Sequence, residues 1–324
     1  MRSDDERVLS TLAASLQRHE SPWLCTVVNA YGSSPRPVGS MVAVKASGEQ
    51  TGSISGGCVE EALIAELLDG RYPGRSPTFV EYGVTAEDNE KLGLPCGGRL
   101  TIAVQQLGAQ DLAWIEQTLE RLARRTVTRR SVDLSSGETS LSAIDAFEPM
   151  QQTDTALVHC FGPRSRLLLV GAGQLAACIA TLALALDYEV LLTDAREWAL
   201  DQWQGPAVEK ILGLPDDVVR ERASDRLSAV MTLSHDPRVD DMALMEALES
   251  EAWYVGALGS LRTTEKRFQR LATLGLAQAS LERLHAPIGL AIGSKTPMEI
   301  AIAVMAEVTQ LRRSEGAATA SDSG

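Results

Sequence analysis

Arg166-Leu167-Leu168-Leu169-Val170-Gly171-Ala172-Gly173-Gln174-Leu175-Ala176 carries the clearest statement of fold class in this chain. Leu167 to Val170 form an apolar run of the kind a central parallel strand carries when both of its faces are covered. The strand runs straight into Gly171-Ala172-Gly173-Gln174-Leu175-Ala176, the GxGxxA form of the dinucleotide fingerprint. Gly171 makes the turn, Gly173 lets a pyrophosphate come close, and the small Ala176 lets helix pack on strand. The spacing predicts a helix over Gln174 to Leu186, apolar on nearly every side, then a strand from Glu189 to Thr193 that ends at Asp194. That acid stands about 20 residues beyond the glycines, where it can accept hydrogen bonds from ribose hydroxyls. It favours a free ribose over a 2′-phosphate, a preference that neighbouring Arg196 blurs.

Strand–helix alternation continues downstream. Ala229 to Leu233 reads as a strand leading into Ser234-His235-Asp236-Pro237, at the sheet edge where doubly wound folds hold ligands. His235 and Asp236 form either an acid–base or metal-ligating pair, or a cap on the following helix. Asp240 and Asp241 open a helix to about Ser250, Trp253 to Val255 is a strand, and Gly256-Ala257-Leu258-Gly259-Ser260 is a loop able to border the pocket. Past His285-Ala286-Pro287-Ile288-Gly289-Leu290, the capping box Thr296-Pro297-Met298-Glu299 starts a last helix expected to reach Arg313. Ser314 to Gly324 is small and polar, the composition of a disordered tail.

Upstream, Ser3 and Glu6 match a capping box ahead of a helix to about His19, and Trp23 to Val28 reads as a strand. Gly32-Ser33-Ser34-Pro35-Arg36-Pro37-Val38-Gly39-Ser40 is loop, with Arg36 stiffened between prolines and able to meet an anion. The plainer reading of Arg36 is a solvated side chain on a rigid turn. A hairpin over Met41–Lys45 and Gln50–Ile54 delivers Gly52-Ser53-Ile54-Ser55-Gly56-Gly57-Cys58-Val59-Glu60. This is a strand end, a two-glycine turn and a helix over Val59 to Leu68. A thiol at such a junction faces the unpaired N–H groups of a helix start, which favour thiolate. A second cysteine turn, Leu94-Pro95-Cys96-Gly97-Gly98, precedes a strand at Arg99 to Gln105. Cys58 and Cys96 together suggest a soft-ligand site, with Gly56, Gly57, Gly97 and Gly98 admitting the ligand and the nucleotide-type pocket of the second half facing it. Cysteine is equally at home as a small buried hydrophobe.

The organisation expected is α/β overall: an N-terminal α+β domain over residues 1–153, a linker over 154–163, and a Rossmann-like doubly wound parallel-sheet domain over 164–313. A net charge of −13 over 324 residues argues against a general nucleic-acid binder. Five scattered cysteines make a poor disulfide framework and suit a reducing cytosol. The acidic N-terminus lacks the pattern of a signal peptide, and the apolar stretch Leu167–Leu192 is broken by glycines and acids, which disfavours a membrane span. The expected location is the cytoplasm.

These segments together resemble the XdhC/CoxI family, accessory proteins of xanthine dehydrogenase and related molybdenum hydroxylases. The resemblance runs through Gly32–Arg36 with Gly39, Gly52–Glu60, Cys96–Gly98, Gly171–Gly173, Thr193–Arg196, His235–Asp236, Gly256–Ser260 and His285–Leu290 through Thr296–Pro297. It implies binding of molybdenum cofactor, support of its sulfuration with a cysteine desulfurase as sulfur source, delivery to an apo-hydroxylase, and a homodimer. Carried over by residue, the resemblance makes Cys58 the contact to the cofactor, through its molybdenum, with Cys96 second and Arg36 pairing with its phosphate. Gln174 stands where the family usually has His, Ala176 where it often has Gly, and Pro237 where a second His is expected. Those departures weaken any role built on a histidine cluster.

Two other readings compete. A catalytic oxidoreductase with NAD(P) at the Gly171 loop would set the nicotinamide against His235, and Cys58 would matter little. An S-adenosylmethionine-dependent transferase also uses a glycine loop and a ribose-binding acid, but nothing in the first half suggests a methyl acceptor.

Overall fold

The computed structural model describes residues 3–31, 36–83, 99–145, 147–234 and 236–321, with the side chains of Cys58 and of residues 314–321 outside that description. The chain divides into two units, Met1–Pro163 and Arg164–Gly324.

The first unit is built on two antiparallel sheets. The strands of one are β1 (Trp23–Tyr31), β2 (Met41–Val44), β3 (Gln50–Gly52), β4 (Thr78–Tyr82) and β5 (Arg99–Gln106), in the order β3-β2-β1-β5-β4. Leu24, Met41 and Ala43 face α1 (Asp4–Gln17) and α3 (Leu112–Ala123), while Cys25, Val27, Val42 and Val44 face α2 (Cys58–Leu68). On α2, Val59, Leu63 and Leu67 recur at helical spacing and are buried, each worth roughly 2 kcal/mol of apolar transfer. The other sheet comprises β6 (Thr128–Asp133), β7 (Thr139–Ala143), β8 (Gln151–Gln152) and β9 (Ala156–Phe161), in the order β7-β6-β9-β8.

In the second unit, β10 (Arg166–Val170) lies between β11 (Glu189–Asp194) and β13 (Ser228–Thr232), parallel to both. With β12 (Glu209–Leu212), β14 (Tyr254–Ala257) and β15 (Leu284–His285) the order is β12-β11-β10-β13-β14-β15, the doubly wound arrangement. Leu167 and Leu169 point to one core and Leu168 and Val170 to the other, as the two-residue period of a strand requires. The first core is closed by α4 (Gln174–Ala185) and α10 (Pro297–Ser321), the second by α6 (Pro215–Arg222), α7 (Pro237–Glu249) and α8 (Leu261–Thr273). Short α5 (Glu197–Asp201) and α9 (Gln278–Leu281) complete the connections.

Three expectations need correction. Residues 154–163 are not simply a linker: β9 lies in them, pairs with both β6 and β8, and buries Leu157, Cys160 and Phe161. The helix after β13 begins at Pro237 rather than Asp240, because Asp236 caps it by accepting the Arg238 N–H at 2.9 Å. The last helix is assigned from Pro297 to Ser321, past the expected end at Arg313. Among the described residues no helix is long and apolar enough to cross a membrane.

Candidate functional site

The loop before α2 is organised by a side chain to which sequence alone assigned no role. The buried Glu60 carboxylate accepts the backbone N–H groups of Ile54 (2.9 Å), Ser55 (2.9 Å), Gly56 (3.1 Å) and Gly57 (3.0 Å). It also accepts the hydroxyls of Ser53 (2.8 Å) and Ser55. Burial alone would raise its pKa, but the hydrogen bonds from Ser55, Ser53 and Ile54 outweigh that and push it down to about 2. The Val59 N–H goes to the Ser55 hydroxyl at 3.2 Å. Gly56 and Gly57 have φ of +93° and +142°, which the turn requires and an L side chain resists. The donors from Ile54 through Gly57 are therefore already committed to the chain's own anion. Three residues on from the N-cap, the same carboxylate also complements the positive helix start.

A capping-box signal was available: Gly57 with Glu60 has the N-cap to N3 spacing at which an acid reaches back to the N-cap amide. What it did not reveal is that the same carboxylate reaches on to Ile54. Cys58 opens α2, with its side chain outside the described residues; Cys96, Gly97, Gly98 and His235 lie outside them altogether, as do residues 32–35. Among the described residues, no three His, Cys, Asp or Glu side chains gather as a metal set. The Arg36 Nη1 is 3.8 Å from the Asp4 carboxylate.

The glycine loop of the second unit is built differently. Gly171 has φ +108°, and a Cβ there would stand 2.9 Å from the Ser234 nitrogen, so the turn after β10 closes against the segment after β13. A Cβ on Gly173 meets nothing within 4 Å among the described residues. Ala172, Gly173 and Gln174 border a cavity of about 650 Å³ that also touches Cys178, Trp203 and Met298. The room expected for a close-approaching ligand is present at Gly173.

Asp194, expected to hold ribose, is already engaged. One oxygen accepts the Arg196 N–H and Nε at 3.0 and 2.9 Å; the other accepts the Ala172 N–H at 3.0 Å and Arg196 Nη2 at 2.8 Å. Burial opposes its ionisation, and the Arg196 and Ala172 donors more than offset that, so its pKa lies below the ordinary carboxylate value. Asp236 resolves toward the structural alternative, as the N-cap of α7. Behind these loops, the buried pair Arg267–Asp240 (2.8 Å) joins the Ser234 N–H to the Leu258 carbonyl, so two segments at the carboxyl edge are held by one ion pair. The loop after β15 is fixed by Glu307, which accepts the Tyr254 hydroxyl at 2.6 Å and the Gly289 N–H at 2.9 Å, while His285 stacks on Tyr254 at 4.7 Å. No sequence periodicity pairs Asp240 with Arg267, or Tyr254 with Glu307; only the fold brings them together.

A further buried group in the first unit left no mark in the sequence pattern. His159 on β9 faces Arg130 on β6, and its Nδ1 has no hydrogen-bond partner among the described residues. Burial together with Arg130 pushes its pKa down to about 3. Arg130 lies 4.1 Å over the Trp114 ring and donates to Gln105 at 2.9 Å.

Strand order, glycine turn and open carboxyl edge define the second unit as a Rossmann-type α/β unit joined to an antiparallel α+β unit. Residues 167–308 match the XdhC Rossmann domain, and residues 15–83 match the XdhC and CoxI family. The chain belongs to the XdhC/CoxI family. It is 29% identical over 315 residues to the molybdenum cofactor insertion chaperone PaoD of Escherichia coli (strain K12), covering 96% of this chain and 90% of that one. It is 24% identical over 326 residues to a probable xanthine dehydrogenase component of Bacillus subtilis (strain 168), covering 93% and 96%. A crystal structure of a xanthine dehydrogenase from Bacillus halodurans aligns with a TM-score of 0.75 at 25% identity, covering 96% of each chain.

Proposed function

We propose that this chain is a cytoplasmic accessory protein that binds molybdenum cofactor, shelters it while sulfur from a cysteine desulfurase is installed, and delivers it to an apo xanthine dehydrogenase-type hydroxylase. The observation that carries the reading is the match to a molybdenum cofactor insertion chaperone over 96% of this chain, which takes in both glycine loops. Cys58 and Cys96 are the proposed thiolate contacts, a soft donor type suited to a thiophilic metal centre. Glu60 contributes by fixing the backbone that leads into residue 58, so that backbone costs little ordering entropy on binding. The working unit is a homodimer.

The test is retention of pterin. Purified protein is mixed with free molybdenum cofactor and separated by gel filtration, and the bound pterin is assayed for wild type, Cys58→Ala and Cys96→Ala. Wild type retains the cofactor and Cys58→Ala loses most of it, with a smaller loss for Cys96→Ala. Undiminished retention in both variants sinks the cysteine assignment. The second reading, an NAD-dependent oxidoreductase, draws support from the open approach at Gly173. It predicts turnover that is indifferent to Cys58→Ala.

A further inference from the structure

The carboxyl ends of β11 and β13 carry the same local device twice. In Asp194-Ala195-Arg196 the arginine N–H and Nε bond one carboxylate oxygen and Nη2 bonds the other. In Asp236-Pro237-Arg238 the same three bonds recur, at 2.9, 3.2 and 2.9 Å. Both clamps line one crevice of about 660 Å³, with Ala195, Pro237 and Val239 as its apolar wall. They are neighbours, since the Asp236 carboxylate also acts on Arg196. The crevice opens beside the point where the strand order reverses, the place where open α/β sheets bind nucleotides.

The clamps invert the usual logic of this position. A carboxylate offers about four acceptor sites, and Asp194 spends them on Arg196 and the Ala172 amide. Its side chain is 5% exposed against 53% for Arg196, and Asp236 is 41% exposed against 89% for Arg238. In both pairs the negative partner is the more sheathed and the positive one is presented. Each guanidinium is oriented by its own aspartate and keeps N–H groups that the aspartate does not use. A planar, pre-oriented fork matches the oxygens of a phosphate monoester far better than it matches a neutral diol.

We infer that this crevice is a subsite for an adenosine-type nucleotide whose ribose carries a phosphate monoester, read by Arg196 and Arg238, and that it disfavours a nucleotide with free ribose hydroxyls. The proposal concerns the second unit alone and stands independently of the molybdenum cofactor reading.

The test is equilibrium titration of the full chain with NADP+, NAD+, coenzyme A, 2′-AMP and inorganic phosphate at two salt concentrations. NADP+ or coenzyme A binds at least about tenfold tighter than NAD+, and the advantage shrinks at high salt. Which of the two is tighter tells whether the phosphate is read at the 2′ or the 3′ position. Arg196→Ala removes most of the discrimination while NAD+ affinity stays within about twofold, Arg238→Ala removes less, and Arg196→Lys, which keeps the charge but not the fork, restores only part. Equal binding of NAD+, no binding of any nucleotide above inorganic phosphate, or discrimination that survives Arg196→Ala in a variant with wild-type circular dichroism overturns the proposal. Pterin retention is not among the readouts, so the two readings fail separately.

Discussion

Two strand-to-helix turns in this molecule are made of glycine, and each is held by a carboxylate, yet they are left in opposite states. In the first unit Glu60 takes the N–H groups of Ile54, Ser55, Gly56 and Gly57 from within its own helix start. In the second unit Asp194 reaches over from a neighbouring strand and takes one loop amide, that of Ala172. The first loop is an anion nest that carries its own anion. The second is tethered at that amide, with open space at Gly173. A glycine motif therefore does not by itself define an anion site. What decides is whether the chain has already used the donors.

The heaviest blow falls on the first loop. Glu60→Ala leaves buried N–H groups without an acceptor, each costing about 1–3 kcal/mol, so the first unit should lose several kcal/mol in urea denaturation. Glu60→Gln should recover part of the loss, because its oxygen still accepts while its amide group meets donors. A loss under about 1 kcal/mol for the alanine variant would mean water replaces the carboxylate at little cost.

Next, the two glycines of the second loop should separate. Gly171→Ala combines positive φ with a Cβ 2.9 Å from the Ser234 nitrogen. It should destabilise by about 2–4 kcal/mol. Gly173→Ala should cost at most about 1 kcal/mol as an N-cap change while weakening any nucleotide bound there. If both variants melt alike, the contrast between a packed and an open glycine is wrong.

Acid separates two buried titrating groups of the first unit, His159 and Glu60. His159 has its pKa pushed down from 6.5 to about 3, so the folded state refuses a proton that the unfolded chain accepts. Stability is then lost as pH falls from 6.5 toward 3, by up to about 1.4 kcal/mol per pH unit. Glu60, lowered from 4.5 to about 2, contributes stability that is full above 4.5 and lost as pH falls through 2. Between pH 6.5 and 4.5 only His159 of these two acts, so His159→Gln should flatten the denaturation profile in that window and leave the steeper fall below it. A profile unchanged by that substitution would show that His159 takes up its proton in the folded state near its ordinary pKa.

The mildest change is that of Asp194→Ala. The fingerprint spacing expects it to weaken NAD binding most, by losing a ribose acceptor. With the carboxylate spent on Arg196 and Ala172, the substitution should instead release the guanidinium, changing NAD affinity less than about threefold and NADP affinity more. Paired titrations of the two nucleotides decide between these outcomes, and an NAD loss larger than the NADP loss restores the ribose role.

What residue order alone made legible is whatever depends on near neighbours along the chain. Apolar Leu167–Val170, the glycines at 171 and 173 and the acid at 194 specify strand, turn, helix and strand, because each is a short-range requirement of backbone geometry. The capping boxes at Ser3–Glu6 and Thr296–Glu299 were legible for the same reason, and both form. What the candidate groups are free to do was settled by packing. The fold set Arg196 and Ala172 on Asp194, wrapped a loop around Glu60, buried Arg267 against Asp240, and turned residues 156–161 from connecting chain into a paired strand. Motif spacing fixes where a side chain leaves the backbone. Which donors and acceptors are already satisfied depends on partners that lie nearby only once the chain has packed.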